Sequence, residues 1–235
     1  MSAADVFTQT VEYPSDGFTI RAFVARPAGA KERRPVVVIL HEWWGLNDHI
    51  KDIAQRFARE GYVGVAVDLY SRQQHKTTKD AAEASALMSA LSSQDALRDI
   101  NATTTFLKSL PFADDGRMAV LGFCMGGTFA LMVAGHNSEF KAAVPFYGKV
   151  PPIETIAYLL CPVLFHHGAK DGWVTKKEVD TLREGLAKFG KTGEVASYPE
   201  ADHAFFNDTR PEVYRPVEAK QAWQRTLRFL GQQLR

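Results

Sequence analysis

The sequence predicts an α/β fold in which a mostly parallel central sheet carries helices on both faces. Three observations lead there. Continuous β-branched runs at 36–40 and 62–67 have the character of strands buried on both sides. Between them Ile50, Ile53, Ala54 and Phe57 recur at helical spacing, and Gly61 supplies a stop. The same alternation of strand and helix then repeats to the end of the chain.

In order, 19–25 alternates and reads as an antiparallel strand near an edge. The strands at 36–40 and 62–67 follow, with the helix of Ile50 to Phe57 between them. A long helical region covers 81–110, broken near Ser92-Ser93. A strand at 118–121 leads into a helix from Met125 to about His136, and 142–146 is the next strand. Strands at 163–166 and 194–198 complete the sheet, joined by a helix marked by Val179, Leu182, Leu186 and Phe189. Trp223, Leu227, Leu230 and Leu234 mark the closing helix. With no repeat, low-complexity segment or composition break, residues 1–235 read as a single domain.

The composition narrows the function classes. A net charge of +1 with scattered basic residues carries no footprint for nucleic acid. The polar opening Met1-Ser2-Ala3-Ala4-Asp5 has no signal region, and Val36-Val37-Val38-Ile39-Leu40 is too short to span a bilayer. Two cysteines, Cys124 and Cys161, make neither a disulfide scaffold nor a four-cysteine metal site. A cytoplasmic protein, acting as a monomer on a small molecule, with no membrane or nucleic-acid partner, is the expectation.

The chemistry centres on Gly122-Phe123-Cys124-Met125-Gly126-Gly127, directly after the strand at 118–121. A strand, a glycine-flanked polar residue and a small-residue helix start form a nucleophile elbow, here with cysteine in place of the usual serine. Gly122 and Gly126 stand two residues to either side, where side chains would block close approach of strand and helix. The helix N-terminus favours a thiolate. Cys161, beginning an apolar strand before Pro162, reads as core.

A nucleophile needs a base and an orienting acid, which α/β hydrolases supply in the order nucleophile, acid, histidine. Asp171 follows the strand at 163–166 and His203 follows that at 194–198, both at the carboxyl edge where such sheets bind ligands. The other candidates fit less well. His136 reads as a helix cap, His75 as solvent-exposed, His49 as part of a helix start, and His166 and His167 as structural. Asp202 is too near His203 to orient it, and Glu200 reads as a surface group.

The segment Leu40-His41-Glu42-Trp43-Trp44-Gly45 follows the third strand, where these folds place one backbone donor of an oxyanion hole. The second donor would be the N–H of Met125. His41-Glu42 lacks the second histidine of a zinc-protease motif, since position 45 is Gly. An unpaired buried carboxylate is costly, so Glu42 either bonds nearby N–H groups or interacts with Cys124 and controls its protonation.

Together, residues 42–47, Asp68-Leu69-Tyr70 with Arg72-Gln73, the Cys124 elbow, Phe146-Tyr147-Gly148, Asp171 and His203-Ala204-Phe205 resemble the dienelactone hydrolase (carboxymethylenebutenolidase) family. The resemblance runs in order along nearly the whole chain. It implies an α/β-hydrolase fold without cofactor or metal and an activity like the opening of dienelactone to maleylacetate. It also implies Cys124 as nucleophile, His203 as base, Asp171 as orienting acid, Glu42 as partner of the thiol, and the N–H groups of Trp43 and Met125 as the oxyanion hole. The connection from Tyr147 to Cys161 is too short for a large cap domain. Trp43, Trp44, Tyr70, Phe123, Tyr147, Trp173, Phe205 and Phe206 are candidates for the pocket lining.

The chain departs from the family at the substrate carboxylate. One of the family's two arginines falls at Asn207 here. The segment between Arg72 and Arg98 holds only Lys76 and Lys79 in place of the other. Neither Asn nor Lys reproduces a bidentate arginine fork, which leaves Arg72, Lys149 and Lys170 as substitutes. A cysteine nucleophile in turn points to activated esters and lactones, because a thiolate is itself a good leaving group. The rival readings are an esterase or thioesterase on neutral substrates, a cysteine-elbow amidotransferase-like protein and a non-enzymatic receptor of this fold.

Overall fold

The computed structural model describes residues 5–235, so the polar opening at positions 1–4 lies outside the described residues. Eight strands form one sheet in the order β1-β2-β4-β3-β5-β6-β7-β8. They are β1 (Val6–Ser15), β2 (Phe18–Pro27), β3 (Arg34–Leu40), β4 (Val63–Val67), β5 (Ala113–Phe123), β6 (Phe140–Phe146), β7 (Val163–Gly168) and β8 (Gly193–Tyr198). The helices are α1 (Asp48–Arg59), α2 (Ala81–Ala90), α3 (Ser93–Leu107), α4 (Met125–Val133), α5 (Lys176–Lys188) and α6 (Pro216–Gln233). This is the α/β-hydrolase architecture. Only a 3-10 turn at Ile153–Tyr158 fills the connection where a cap domain would sit. Among the described residues no helix is long and apolar enough to cross a membrane. The chain divides within β5 into two compact units, one up to Met118 and one from Ala119.

In the first unit β3 and β4 pair in parallel, while β1 and β2 pair antiparallel and β2 pairs antiparallel with β4. The β-branched residues of β3 and β4 have no exposed surface, as runs buried on both faces require. Helix α1 turns His49, Ile50, Ile53, Ala54, Phe57 and Ala58 inward and is capped by Asn47, which accepts the Ile50 N–H. The break at Ser92 is a second cap: its side chain accepts the Asp95 N–H and starts α3. The antiparallel edge is wider than the sequence suggests, because β1 lies outside β2. Strand β1 is mostly exposed and carries no apolar run to announce it. Its two buried residues are Tyr13, which bonds the Thr103 hydroxyl at 2.6 Å, and Ser15, which donates to Asp99 at 2.6 Å.

In the second unit β6, β7 and β8 pair in parallel, with Phe146 opposite His166 and Gly168 opposite Tyr198. His166 is completely buried here. Its ring nitrogens bond the hydroxyls of Tyr198 at 2.8 Å and Thr226 at 2.9 Å, and its ring lies 4.2 Å from that of Phe146. Burial, with a smaller push from Arg225, lowers its pKa to about 3.

Because the folded His166 binds a proton more weakly than an unfolded histidine, acid uptake favours the unfolded chain. His41 and His167 are shifted in the same direction, chiefly by burial. For His166 this contribution is full above about pH 6.5 and is lost as pH drops toward 3, by roughly 1 kcal/mol per pH unit, and the other two add in the same direction. Urea midpoints measured at pH 7.5 and 4.5 should show this loss, and His166→Gln should be weaker at pH 7.5 yet lose less on acidification. An unaltered pH dependence in the variant would exclude His166 as a source.

Candidate active site

Cys124 is the single residue between the end of β5 and the start of α4. Its backbone sits at φ 54°, ψ −117°, a conformation costing a non-glycine residue on the order of 1–3 kcal/mol. Neighbouring backbone holds it there. The Cys124 N–H donates to the Phe146 carbonyl at 3.0 Å, and its own carbonyl accepts the Thr128 N–H at 3.1 Å. A Cβ at Gly122 would lie 2.0 Å from the Gly126 carbonyl oxygen. One at Gly127 would lie 2.5 Å from the Phe146 carbonyl oxygen, and one at Gly148 would lie 2.3 Å from the backbone of residues 127 and 128. Of the two flanking glycines the sequence singles out, Gly122 is therefore needed for close approach, and Gly127 and Gly148 join it. Met125 opens α4, so the positive end of the helix dipole lies at Cys124, which is 8% exposed.

The loops after β7 and β8 are joined by backbone. The Ala169 N–H donates to the Tyr198 carbonyl and the Lys170 N–H to the Ala201 carbonyl, each at 2.9 Å. Gly168 permits this, since a Cβ there would stand 2.5 Å from the Asp202 carbonyl oxygen. The result brings His203 Nδ1 within 2.8 Å of Asp171 Oδ2. The other carboxylate oxygen accepts the N–H groups of Trp173 at 2.7 Å and Val174 at 2.9 Å. Three hydrogen bonds thus fix a carboxylate whose side chain has no exposure, while the His203 side chain remains 27% exposed. The imidazole packs against the rings of Tyr147 and Trp173, each 5.0 Å away and edge-on. Tyr147 itself sits at φ 39°, next to the Phe146 carbonyl that holds Cys124.

In the first unit, His41 organises the loop that follows β3. It donates from Nδ1 to the Glu42 carbonyl at 2.5 Å and accepts the Leu69 N–H at Nε2, which assigns the neutral tautomer. Burial lowers its pKa in agreement, against the pull of Asp68. The Tyr70 hydroxyl donates to the Trp43 carbonyl at 3.0 Å, and Glu42 is buried. His41 enters the sequence reading only as part of a failed zinc motif; a histidine ending a fully buried strand is the signal that it must be bonded at both nitrogens.

Several candidates have other employment. Tyr70, Phe123, Tyr147 and Phe205 are at most 1% exposed and pack in the core, whereas Trp43, Trp44 and Trp173 are partly exposed. Asn207 is buried, and its Oδ1 accepts the N–H and hydroxyl of Thr209, capping the turn after His203. Arg72 is bidentate to the buried Asp99 at 2.8–2.9 Å, and Lys170 pairs with Glu200 on the surface. His75 is not simply solvated, as its sequence setting suggests: its Nδ1 bonds Asp68 Oδ2 at 2.8 Å, because that buried carboxylate requires partners. His136 caps its helix on the Met132 carbonyl, and Asp202 pairs with Arg215. Burial pushes the Cys161 thiol up to about 12, as fits a core cysteine.

The profile of the dienelactone hydrolase family matches residues 20–234. The chain belongs to the dienelactone hydrolase family. It is a hydrolase by that membership. A "Putative carboxymethylenebutenolidase" of Salmonella typhimurium is 34% identical over 93% of the chain and 85% of the relative. A Bradyrhizobium "Probable 2-oxo-3-(5-oxofuran-2-ylidene)propanoate lactonase" is 30% identical over 98% of the chain and 96% of the relative. Among solved structures, a "Putative Dienelactone Hydrolase" from Klebsiella pneumoniae superposes with a TM-score of 0.91 at 32% identity, covering 97% of this chain and 99% of that one.

The packing at the elbow gives a direct stability test. Gly122→Ala forces backbone apart and should cost about 3 kcal/mol or more, the upper end of the overpacking range. Gly231→Ala, in α6 with nothing within 4 Å of the added carbon, should raise the melting temperature slightly. A Gly122→Ala protein melting like the parent would mean that the elbow is not closely packed.

Proposed function

We propose that this single-domain hydrolase cleaves activated carboxylic esters or lactones through an acyl-thioester, with Cys124 as nucleophile, His203 as base and Asp171 as orienting acid. The observation that carries the reading is the His203–Asp171 hydrogen bond on loops of adjacent strands. It is supported by a cysteine held at positive φ on a strand-to-helix turn. Asp171 orients the imidazole so that Nδ1 carries its proton toward the carboxylate, leaving Nε2 to accept the thiol proton.

The sulfur then attacks the carbonyl carbon, and the Met125 N–H at the start of α4 stabilises the oxyanion. Collapse forms the thioester and expels the alkoxide or enolate, which takes its proton from His203. Water, deprotonated by His203, cleaves the thioester, releases the acid and restores the thiol. The roles of Glu42 as partner of the thiol and of the Trp43 N–H as a further oxyanion donor rest on the family resemblance. No step requires a cofactor. Both cysteines are free thiols, which supports a reducing, cytoplasmic setting.

Regarding the substrate, the three cations considered as receptors for a carboxylate, Arg72, Lys149 and Lys170, are engaged by acids. Arg72 neutralises the buried Asp99, and removing it would leave that charge unpaired. Lys149 pairs with Glu178, and Lys170 with Glu200. We therefore assign neutral esters and lactones as the preferred class.

Cys124→Ala and His203→Ala should each abolish nearly all turnover of a phenyl ester, with the double variant no worse than either. Cys161→Ala should retain full activity. Activity surviving in Cys124→Ala would move the nucleophile elsewhere. Comparison of dienelactone with its methyl ester should show a weak preference at most, and strong selectivity for the free acid would overturn the substrate assignment. Glu42→Gln should make the resting thiol easier to alkylate with iodoacetamide while lowering turnover; identical alkylation and turnover would leave Glu42 a structural group.

A further inference from the structure

Lys149 follows the glycine at the end of the β6 segment, and its main chain is tied to the elbow helix. Its N–H donates to the Thr128 hydroxyl at 2.9 Å, and that hydroxyl lies 3.4 Å from the Cys124 carbonyl. The side chain runs the other way, into the loop that carries Asp171. The ammonium donates to the Trp173 carbonyl, sits 3.1 Å from the Glu178 carboxylate and lies 5.0 Å above the Trp173 ring. Glu178 in turn accepts the N–H and hydroxyl of Thr175, closing the capping box of α5. Burial raises the carboxyl pKa of Glu178, but the bonds from Thr175 and Lys149 outweigh it and hold it below the usual range.

We infer that Lys149 is a positioning residue that clamps the 171–175 loop onto the elbow, so that Asp171 and the Trp173 indole hold His203 in place. An isolated exposed ion pair is worth at most about 1 kcal/mol. Here the ammonium, on a side chain 37% exposed, also meets a main-chain carbonyl and an aromatic face, so three separate groups restrain it. Each contact restrains a group next to the base. The Trp173 carbonyl belongs to the peptide whose N–H, that of Val174, bonds Asp171, and the indole is packed against the imidazole. A line of contacts thus runs from the Cys124 carbonyl through Thr128, Lys149 and Trp173 to His203. The same engagement takes Lys149 out of use as a receptor for a substrate carboxylate.

This inference rests on the reading of His203 as the base, and its test separates the two. Lys149→Met keeps the aliphatic stem and removes the charge, while Lys149→Arg keeps the charge and the stacking on Trp173. Three quantities are measured: kcat and KM for 4-nitrophenyl acetate, the low-field proton resonance of the His203–Asp171 hydrogen bond, and the urea midpoint. For Lys149→Met the expected result is a kcat reduced about tenfold, the scale of a small misplacement. KM should change less than about twofold, and the low-field resonance should broaden. Lys149→Arg should recover most of the kcat, and Lys149→Met combined with Trp173→Ala should be no worse than Trp173→Ala alone. An unchanged kcat and resonance in Lys149→Met overturns the clamp, and so does a KM that rises only for a carboxylate-bearing lactone. If the parent protein does not turn over the ester, the proposed function fails, and the resonance alone then decides the inference.

Discussion

Everything at the candidate site depends on four stretches of main chain coming closer than side chains permit. At Gly122, Gly127 and Gly148 even one added methyl group would sit inside van der Waals contact with the backbone of residues 126–128 and 146. That crowding forces Cys124 into a conformation it would not adopt alone, and the bond from its N–H to Phe146 keeps it there. A strained residue persists only when its surroundings determine it several times over. Here the surroundings are glycine backbone on three sides, which cannot relax by rotating a side chain.

The acid–base pair is fixed by different means. Asp171 spends one oxygen on two peptide N–H groups of its own turn and the other on His203. An immobile carboxylate is what an imidazole needs to keep one tautomer, because the ring is otherwise free to rotate. Packing against Tyr147 and Trp173 restricts that rotation. The base is therefore held by hydrogen bonding at one atom and by ring packing elsewhere, with enough exposure left to meet a substrate.

The sequence made the buried parallel strands plain, since β3 and β4 must be apolar at every position. It concealed β1, whose outer position leaves most residues in water. The first half of β5 was hidden for another reason. Asp114, Asp115, Gly116 and Arg117 have turn composition, yet they extend the strand with Arg117 paired to Asp114 and Asp115 to Arg33. At the site, the elbow and the order of Asp171 and His203 were visible because each is written into a short local pattern. The grip of Lys149 was not, since lysine carries no signature and Glu178 is distant in sequence. Nor does a sequence tell a buried aromatic from one lining a pocket, which is why Phe123 and Phe205 looked like wall residues and are core.

Strands β7 and β8 are in register along their whole paired length, from Val163 opposite Gly193 to Gly168 opposite Tyr198. The loops that carry Asp171 and His203 both leave from the same end of this pair. The crossover through α5 returns the chain at the other end, where the Thr192 carbonyl accepts the Val163 N–H at the start of β7. Insertions or deletions around 189–192 thus fall a full strand length from the imidazole. Lengthening the turn between Asp171 and Val174 by even one residue instead shifts the peptide groups that seat the carboxylate. By this geometry the far turn can take up a change of length without reaching the base, whereas the near turn cannot.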